Sequence, residues 1–150
     1  MDGLRELYQQ VILDHNKNPR NFSRPASTNR TGEGYNPLCG DHYTLYAEVN
    51  GDVVTDIGFQ GSGCAISKAS ASVMSSTLKG KTKADFETLF RAFQEMVKGE
   101  PGAGSGIAEM GKLAAFEGVS EHPSRIKCAT LAWHTLNSML QGQPDVVSTE

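Results

Sequence analysis

Cysteine is scarce in this sequence: its 150 residues include only three, Cys39, Cys64 and Cys128. An odd number of cysteines cannot pair completely within one chain, and a domain of this length does not need disulfides for stability. The composition therefore excludes a disulfide-rich secreted scaffold. A cytoplasmic protein whose thiols stay reduced is expected instead.

Long apolar runs and clustered positive charge are also missing. No apolar stretch approaches the roughly 20 residues of a membrane span, so a soluble protein that is not exported and has no membrane partner is expected. The 14 basic residues are scattered and are outnumbered by 17 acidic ones, which argues against a nucleic-acid partner. The length suits a single domain, expected at 1–142, with a disordered tail at 143–150.

Apolar residues at three- and four-residue spacing predict helices along much of the chain. The first is expected to end before Pro19, and Thr82 with Asp85 resembles a capping box that starts another. No strand is predicted in the polar stretch that contains Gly32 and Gly34. The predicted helices lie near 4–17, 65–78, 86–97, 107–113 and 123–142, with a flexible connector at 99–106.

Two alternating segments, 43–49 and 53–59, predict an antiparallel hairpin. A three-residue loop would pair Val49 with Val53 and bring the two apolar faces together, so this register is expected. Extended to the open end of the hairpin, the register brings Cys39 close to Cys64. Two thiols that are distant in the sequence are thus expected to converge.

The chemistry-bearing residues of the chain are three thiols and one carboxylate. Cys39 and Asp41 share a strand face, Cys64 lies across the hairpin, and Cys128 is the remaining cysteine. Three soft thiolates and one carboxylate suit a tetrahedral zinc site, or the edge of an iron–sulfur cluster. The alternatives are that each cysteine is a small buried apolar residue and that Asp41 only binds its own turn.

Arg125 precedes Cys128 by one helical turn on the same face, so its cation could favour ionised thiolates. A solvated surface arginine is the alternative. His42 alternates to the opposite strand face from Asp41 and is expected to be a surface histidine.

Two other classes of function remain open on the residues alone. A cysteine nucleophile with a histidine base would make a thiol hydrolase or transferase, although that chemistry needs only one thiol. A binding adaptor with a closed, structural zinc site is the other class.

Four segments resemble the U-type iron–sulfur assembly family, which comprises IscU, SufU and the N-terminal domain of NifU. They are "NPLCGD" at 36–41, "GSGCAISKASASVM" at 61–74, "LKGKT" at 78–82 and "RIKCATLAW" at 125–133. The resemblance implies a single-domain α+β fold in which a small antiparallel sheet packs against several helices. It also implies metal ligands at Cys39, Asp41, Cys64 and Cys128.

Two departures from IscU make the chain most similar to the SufU branch. IscU has a histidine immediately before its third cysteine and an LPPVK motif upstream, whereas this chain has Lys127 and "EHPSR". The chain also carries an insertion around 99–118 that resembles the one in SufU.

The SufU resemblance implies a zinc-dependent sulfurtransferase that accepts persulfide sulfur on Cys39 from a SufS-type cysteine desulfurase, a pyridoxal phosphate enzyme. Arg125 would help to hold the incoming anionic sulfur, and downstream iron–sulfur assembly proteins would be further partners. The alternative that the resemblance implies is a scaffold on which a transient [2Fe-2S] cluster is assembled and handed on.

Overall fold

The computed structural model of the protein describes residues 2–99, 107–142 and 147–148. Its helices are α1 (Asp2–Lys17), α2 (Ala65–Leu78), α3 (Lys83–Lys98) and α4 (Pro123–Leu140), with a 3-10 helical segment at Ile107–Glu121 between α3 and α4. Its strands are β1 (Arg30–Asn36), β2 (Asp41–Asn50), β3 (Val53–Ser62) and β4 (Val147–Ser148). The expected α+β fold, a small sheet against several helices in one domain, is confirmed.

The four strands form one sheet in the order β3-β2-β1-β4. β1, β2 and β3 are antiparallel neighbours, whereas β4 pairs parallel with β1 through Gly34 and Tyr35. The sheet is therefore mixed at this edge rather than wholly antiparallel. Most of the tail expected at 143–150 lies outside the described residues, and its described part is β4.

Strand β1 was not predicted, because the residues on its buried face do not form an apolar alternation. These positions are Gly32, Gly34 and Asn36. A Cβ atom at Gly32 would lie 2.5 Å from the Met139 side chain, and one at Gly34 would collide with Thr135. Helix α4 thus packs on β1 so closely that only glycine fits between them.

The predicted register of the β2–β3 hairpin is wrong, although the hairpin itself is confirmed. Asn50 pairs with Val53 across a two-residue turn, and an irregularity between Glu48 and Val49 then shifts the pairing by one residue. This shift is needed because the buried residues of β3 include Val54 and Ile57, which lie on opposite faces of a regular strand. Beyond it, Phe59 pairs with Leu45 rather than with Tyr43.

The predicted helices are confirmed, and the capping box of α3 forms between Thr82 and Asp85. The helix expected at 107–113 is a 3-10 segment that continues to Glu121, with a break at Gly111, where φ is 58°. Residues 100–106 of the expected connector lie outside the described residues.

The core lies between the buried face of the sheet and the helices. At its centre the Trp133 ring stacks on Phe93, with ring centroids 4.6 Å apart, and on Phe86 and Phe90. Fully burying one such aromatic side chain contributes about 1.5–3 kcal/mol. This packing fixes α4, which carries Cys128, against α3 and the sheet.

Within the described ranges, no helix combines the length and the apolar content that a membrane span needs.

Candidate metal centre

A tight turn between β1 and β2 presents the first two site residues. Asn36 pairs with Asp41, and the Asn36 carbonyl accepts hydrogen bonds from the backbone N–H groups of Cys39, at 3.3 Å, and Gly40, at 2.9 Å. Gly40 has φ of +73°, a conformation that favours glycine. The turn leaves the Cys39 thiol exposed while the Asp41 side chain is fully buried.

Three of the four expected ligands form a compact group. One ligand atom from each of Cys39, Asp41 and Cys128 lies within 4.8 Å of the other two. The two sulfur atoms are 3.4 Å apart. Cys128 is buried in the second turn of α4, so the group joins the β1–β2 turn to a core helix.

Asp41 is held by donors on both of its oxygens. Its Oδ1 accepts a hydrogen bond from the backbone N–H of Cys64 at 2.8 Å, and its Oδ2 accepts one from Asn36 Nδ2 at 3.1 Å. The alternative that Asp41 only binds its own turn therefore does not describe this carboxylate. It faces the site and ties β2 to the start of α2.

Cys64, the fourth expected ligand, lies beside the compact group as the N-cap of α2. Its sulfur accepts a hydrogen bond from the backbone N–H of Ser67 at 3.4 Å. The pKa of the Cys64 thiol is lowered, mainly because the Cys128 thiol donates a hydrogen bond to it, and also because of the Ser67 backbone N–H. The helix N-terminus thus favours a thiolate here.

Cys128 has the opposite environment. Its pKa is raised by hydrogen bonding to Cys64 first and by burial second. The buried Cys128 thiol therefore keeps its proton more strongly than the Cys64 thiol does when no metal is bound. A cation that accepts sulfur ligands would remove this penalty.

The floor of the site is polar and closely packed. Tyr43 Oη lies 3.0 Å from Ser67 Oγ, and burial raises the pKa of the tyrosine hydroxyl. A Cβ atom at Gly63 would lie 2.5 Å from Asp41 Oδ1 and 2.6 Å from both of those hydroxyl oxygens. Only a residue without a side chain lets these three groups meet.

Asn36, Tyr43 and Ser67 were not predicted from the sequence to belong to this site. Asn36 stands in the same hexapeptide as Cys39 and Asp41, and Ser67 stands three residues after Cys64, at the position that an N-cap contacts. The sequence positions of Asn36 and Ser67 could therefore have indicated that they lie at the site. Tyr43 gave no such indication, because its spacing is that of an ordinary core residue of β2.

Arg125 lies exposed at the start of α4, and in the described part of the chain its side chain has no ion pair or side-chain hydrogen bond. It lines a groove of about 640 Å³ between α1, the 3-10 segment and α4, together with Ile66 and His122. The guanidinium is therefore available to a group that enters this groove.

No histidine belongs to the group of potential ligands found in the described residues. His42 is half exposed and lies 3.4 Å from Glu33, as expected of a surface histidine. Of the described hydrogen bonds, none joins a cysteine to a histidine, so the arrangement gives no support to a cysteine–histidine hydrolase.

The donor set fits zinc. Zinc–sulfur bonds of about 2.3 Å in a tetrahedral site place two sulfur atoms about 3.8 Å apart. The 3.4 Å between Cys39 and Cys128 is close to this spacing. Two thiols, a carboxylate and a neighbouring third thiol also match the soft and borderline ligands that zinc accepts.

Comparison with known proteins identifies the family of the chain. Residues 7–129 match the family model described as NifU-like N terminal domain. The chain is 42% identical over 134 residues to "Zinc-dependent sulfurtransferase SufU" of Bacillus subtilis (strain 168), covering 89% of both chains. It is 36% identical over 141 residues to "Iron-sulfur cluster assembly scaffold protein IscU" of Streptococcus pyogenes serotype M1, covering 94% of this chain and 87% of the relative.

A similar fold has been solved by crystallography. The crystal structure of a protein described as hypothetical superposes with a TM-score of 0.83 at 36% identity, covering 91% of this chain and 98% of the other. The resemblance noted from the four sequence segments is thus confirmed over most of the chain. The chain belongs to the NifU-like N-terminal domain family, the family of U-type iron–sulfur assembly proteins.

Proposed function

We propose that this chain acts in iron–sulfur cluster assembly as a zinc-dependent sulfurtransferase that accepts persulfide sulfur on Cys39. The observation that carries the proposal is the unequal exposure of adjacent ligand atoms: the Cys39 thiol is exposed, whereas Cys128, 3.4 Å away, and Asp41 are buried. The 42% identical relative named as a zinc-dependent sulfurtransferase supports the same role.

Cys39, Asp41, Cys64 and Cys128 would hold the zinc. When bound, the metal would supply the charge that keeps these thiols ionised at neutral pH. Cys64 caps a helix and Cys128 is embedded in one, so moving either sulfur would disturb a helix. Cys39 stands in a turn and can leave the site at the lowest cost to secondary structure.

The transfer step is a thiol exchange. The Cys39 thiolate attacks the outer sulfur of a persulfide on the desulfurase, and a new sulfur–sulfur bond forms on Cys39. The bond between that outer sulfur and the enzyme's cysteine breaks, and the enzyme's cysteine leaves as a thiolate that takes up a proton from water. The outer sulfur moves from one cysteine to the other, and the step needs no external oxidant or reductant.

The surface around Cys39 suits a protein partner. Leu38 is 65% exposed and Tyr35 is 41% exposed, so apolar contact area borders the reactive thiol. Arg125, which lines a groove that contains none of the four expected ligands, is the residue proposed to hold the incoming anionic sulfur. A SufS-type cysteine desulfurase is the proposed donor, and downstream iron–sulfur assembly proteins are the proposed acceptors, in the reducing cytoplasm expected from the three free thiols.

The test is to incubate the zinc-loaded chain with a SufS-type desulfurase and cysteine, alkylate the products and locate the added sulfur by peptide mass analysis. Sulfur on Cys39 is the expected result, with none in Cys39→Ser. Sulfur accumulating on Cys128 instead, or stimulation of the desulfurase that survives in Cys39→Ser, would contradict the proposed acceptor. Arg125→Ala is expected to slow loading of Cys39 while zinc content stays unchanged.

A scaffold for a transient [2Fe-2S] cluster is the second candidate, favoured by the relative named as a scaffold that covers 94% of this chain. The same cysteines would carry the cluster as cargo. Anaerobic incubation with iron, cysteine and the desulfurase separates the two candidates. A cluster spectrum that appears as zinc is displaced would favour the scaffold, and zinc retention with persulfide on Cys39 favours the sulfurtransferase.

A further inference from the structure

Asn36 is the last residue of β1, and its side chain is fully buried between two of the expected ligands. Its Nδ2 lies 3.1 Å from Asp41 Oδ2 and 3.4 Å from Cys128 Sγ. One amide group therefore touches both buried members of the compact group. Within the described residues, the amide forms no other side-chain hydrogen bond, and none with the exposed thiol of Cys39.

The other end of the amide shows that this orientation is selected. Asn36 Oδ1 is buried and has no hydrogen-bond partner within the described part of the chain. One end of this amide stays unpaired in either orientation, at a cost of about 1–3 kcal/mol, so the partners at the other end decide which orientation is favoured. A rotated amide would aim its oxygen at a carboxylate and a sulfur, which are both acceptors when ionised.

The backbone of the same residue holds the turn. The Asn36 carbonyl accepts the N–H groups of Cys39 and Gly40, at 3.3 and 2.9 Å. Asn36 thus binds the backbone of the exposed Cys39 through its main chain, and Asp41 and Cys128 through its side chain. The Asn36 side chain is uncharged, so it adds no charge to the two thiols and the carboxylate of the compact group.

We propose that Asn36 is a positioning residue of this centre, whose amide holds the Asp41 carboxylate and the Cys128 sulfur in their ligand positions and keeps them there when Cys39 departs. The role of Asn36 when Cys39 departs rests on the proposed sulfur transfer. Its role in positioning Asp41 and Cys128 does not. Groups that hydrogen-bond to metal ligands typically change metal affinity 10- to 100-fold when they are removed.

The decisive variants are Asn36→Asp and Asn36→Ala. Aspartate keeps the shape of asparagine but replaces the donor with an acceptor, so it separates hydrogen bonding from packing. Both variants are expected to bind zinc about 10- to 100-fold more weakly in competition with a chelator. Their cobalt-substituted forms should show an altered absorption spectrum, because the ligand positions change.

Asn29→Ala is the matched control. Asn29 also bridges two groups of the same sheet, since its amide donates to the Val49 carbonyl and accepts from the Val49 N–H, each at 2.8 Å. Its removal should lower the unfolding midpoint and leave zinc affinity unchanged. Zinc affinities of Asn36→Asp and Asn36→Ala equal to that of the unaltered chain, or reduced no more than in Asn29→Ala, would overturn the proposal.

A measurement on the unaltered chain decides the matter even if a variant fails to fold. In the protein loaded with cadmium-113, a hydrogen bond from Asn36 Nδ2 to the Cys128 sulfur should give a detectable coupling between the amide proton and the metal. Absence of this coupling, with the couplings from the cysteine side chains present, would contradict the proposed contact.

The part that concerns the departure of Cys39 has its own test. In a Cys39→Ser background, Asn36→Ala is expected to reduce zinc affinity by a larger factor than in the unaltered chain, because one fewer ligand then holds the site. An equal or smaller factor would refute this part. If the unaltered chain accepts no sulfur on Cys39, the proposed function fails, while the zinc affinities still decide the role of Asn36.

Discussion

The backbone N–H of Cys64 lies 2.8 Å from Asp41 Oδ1, and this hydrogen bond joins the N-terminus of α2 to the first residue of β2. Asp41 therefore has a structural partner as well as an expected metal. The hydrogen bond to Cys64 is present without zinc, whereas metal ligation is not, so the two roles of Asp41 can be separated by experiment.

Asp41→Ala is expected to lower the free energy of unfolding of the metal-free protein by about 1–3 kcal/mol, since the Cys64 N–H loses its buried acceptor. Asp41→Asn can keep an oxygen at this position and should lose less. Urea denaturation in the presence of a chelator measures both. An unchanged metal-free stability in Asp41→Ala would show that the hydrogen bond contributes nothing to folding.

The freshly purified chain is expected to hold one zinc per molecule, and elemental analysis together with X-ray absorption checks this. Cys64→Ala and Cys128→Ala should lose zinc and melt at a lower temperature, because the site ties the β1–β2 turn to α2 and α4. A melting temperature that chelation of the unaltered protein does not change would contradict this coupling of metal to folding.

Gly63→Ala is expected to destabilise the protein by about 1–3 kcal/mol and to weaken zinc binding, because the added methyl group overpacks the floor of the site. Its Cβ would lie 2.5 Å from Asp41 Oδ1. Gly118→Ala is the control, since a Cβ at Gly118 would meet no atom within 4 Å. Thermal unfolding and chelator competition should separate the two variants, and equal behaviour would refute the packing argument.

Stability should fall between about pH 6.5 and pH 4 because of His15. Burial, with a smaller effect from Arg20, lowers the pKa of this histidine from 6.5 to about 4, and its Nδ1 lies 2.7 Å from Ser72 Oγ. In this window the unfolded chain binds a proton that the folded chain does not, so unfolding becomes more favourable as pH falls. The full loss is at most about 3 kcal/mol.

Urea denaturation at several pH values measures this effect in the unaltered chain and in His15→Gln, which cannot titrate. The variant should be less stable at pH 7.5 but should lose less stability on acidification. His134, whose pKa burial also lowers, remains in both proteins and cancels in the difference. Parallel stability curves for the two proteins would contradict the assignment to His15.

The proximity of the start of β2 to the N-terminus of α2 could be predicted from the sequence even though the register used to argue it was wrong. The predicted and observed pairings of β2 with β3 differ by one or two positions, and either one brings the start of β2 to the N-terminus of α2. The capping box at Thr82 and the helical faces were equally readable, because each depends on local spacing.

Strand β1 and the role of Asn36 could not be predicted in the same way. Glycine is needed at positions 32 and 34 because α4 packs closely against them. This contact joins residues that are far apart in the sequence. The buried amide of Asn36 is explained only by where Cys128 and Asp41 stand in space. Local sequence patterns do not indicate which distant residues will become neighbours in the fold.

The absence of side chains at Gly32 and Gly34 also affects a dimension of the candidate metal centre. At these two positions the Thr135 and Met139 side chains of α4 rest directly on the backbone of β1, so this contact sets how closely α4, which carries Cys128, approaches the strand that leads into the β1–β2 turn. Selection for the proposed metal binding should therefore constrain these two glycines, which lie outside the proposed ligand set, as well as the proposed ligands themselves.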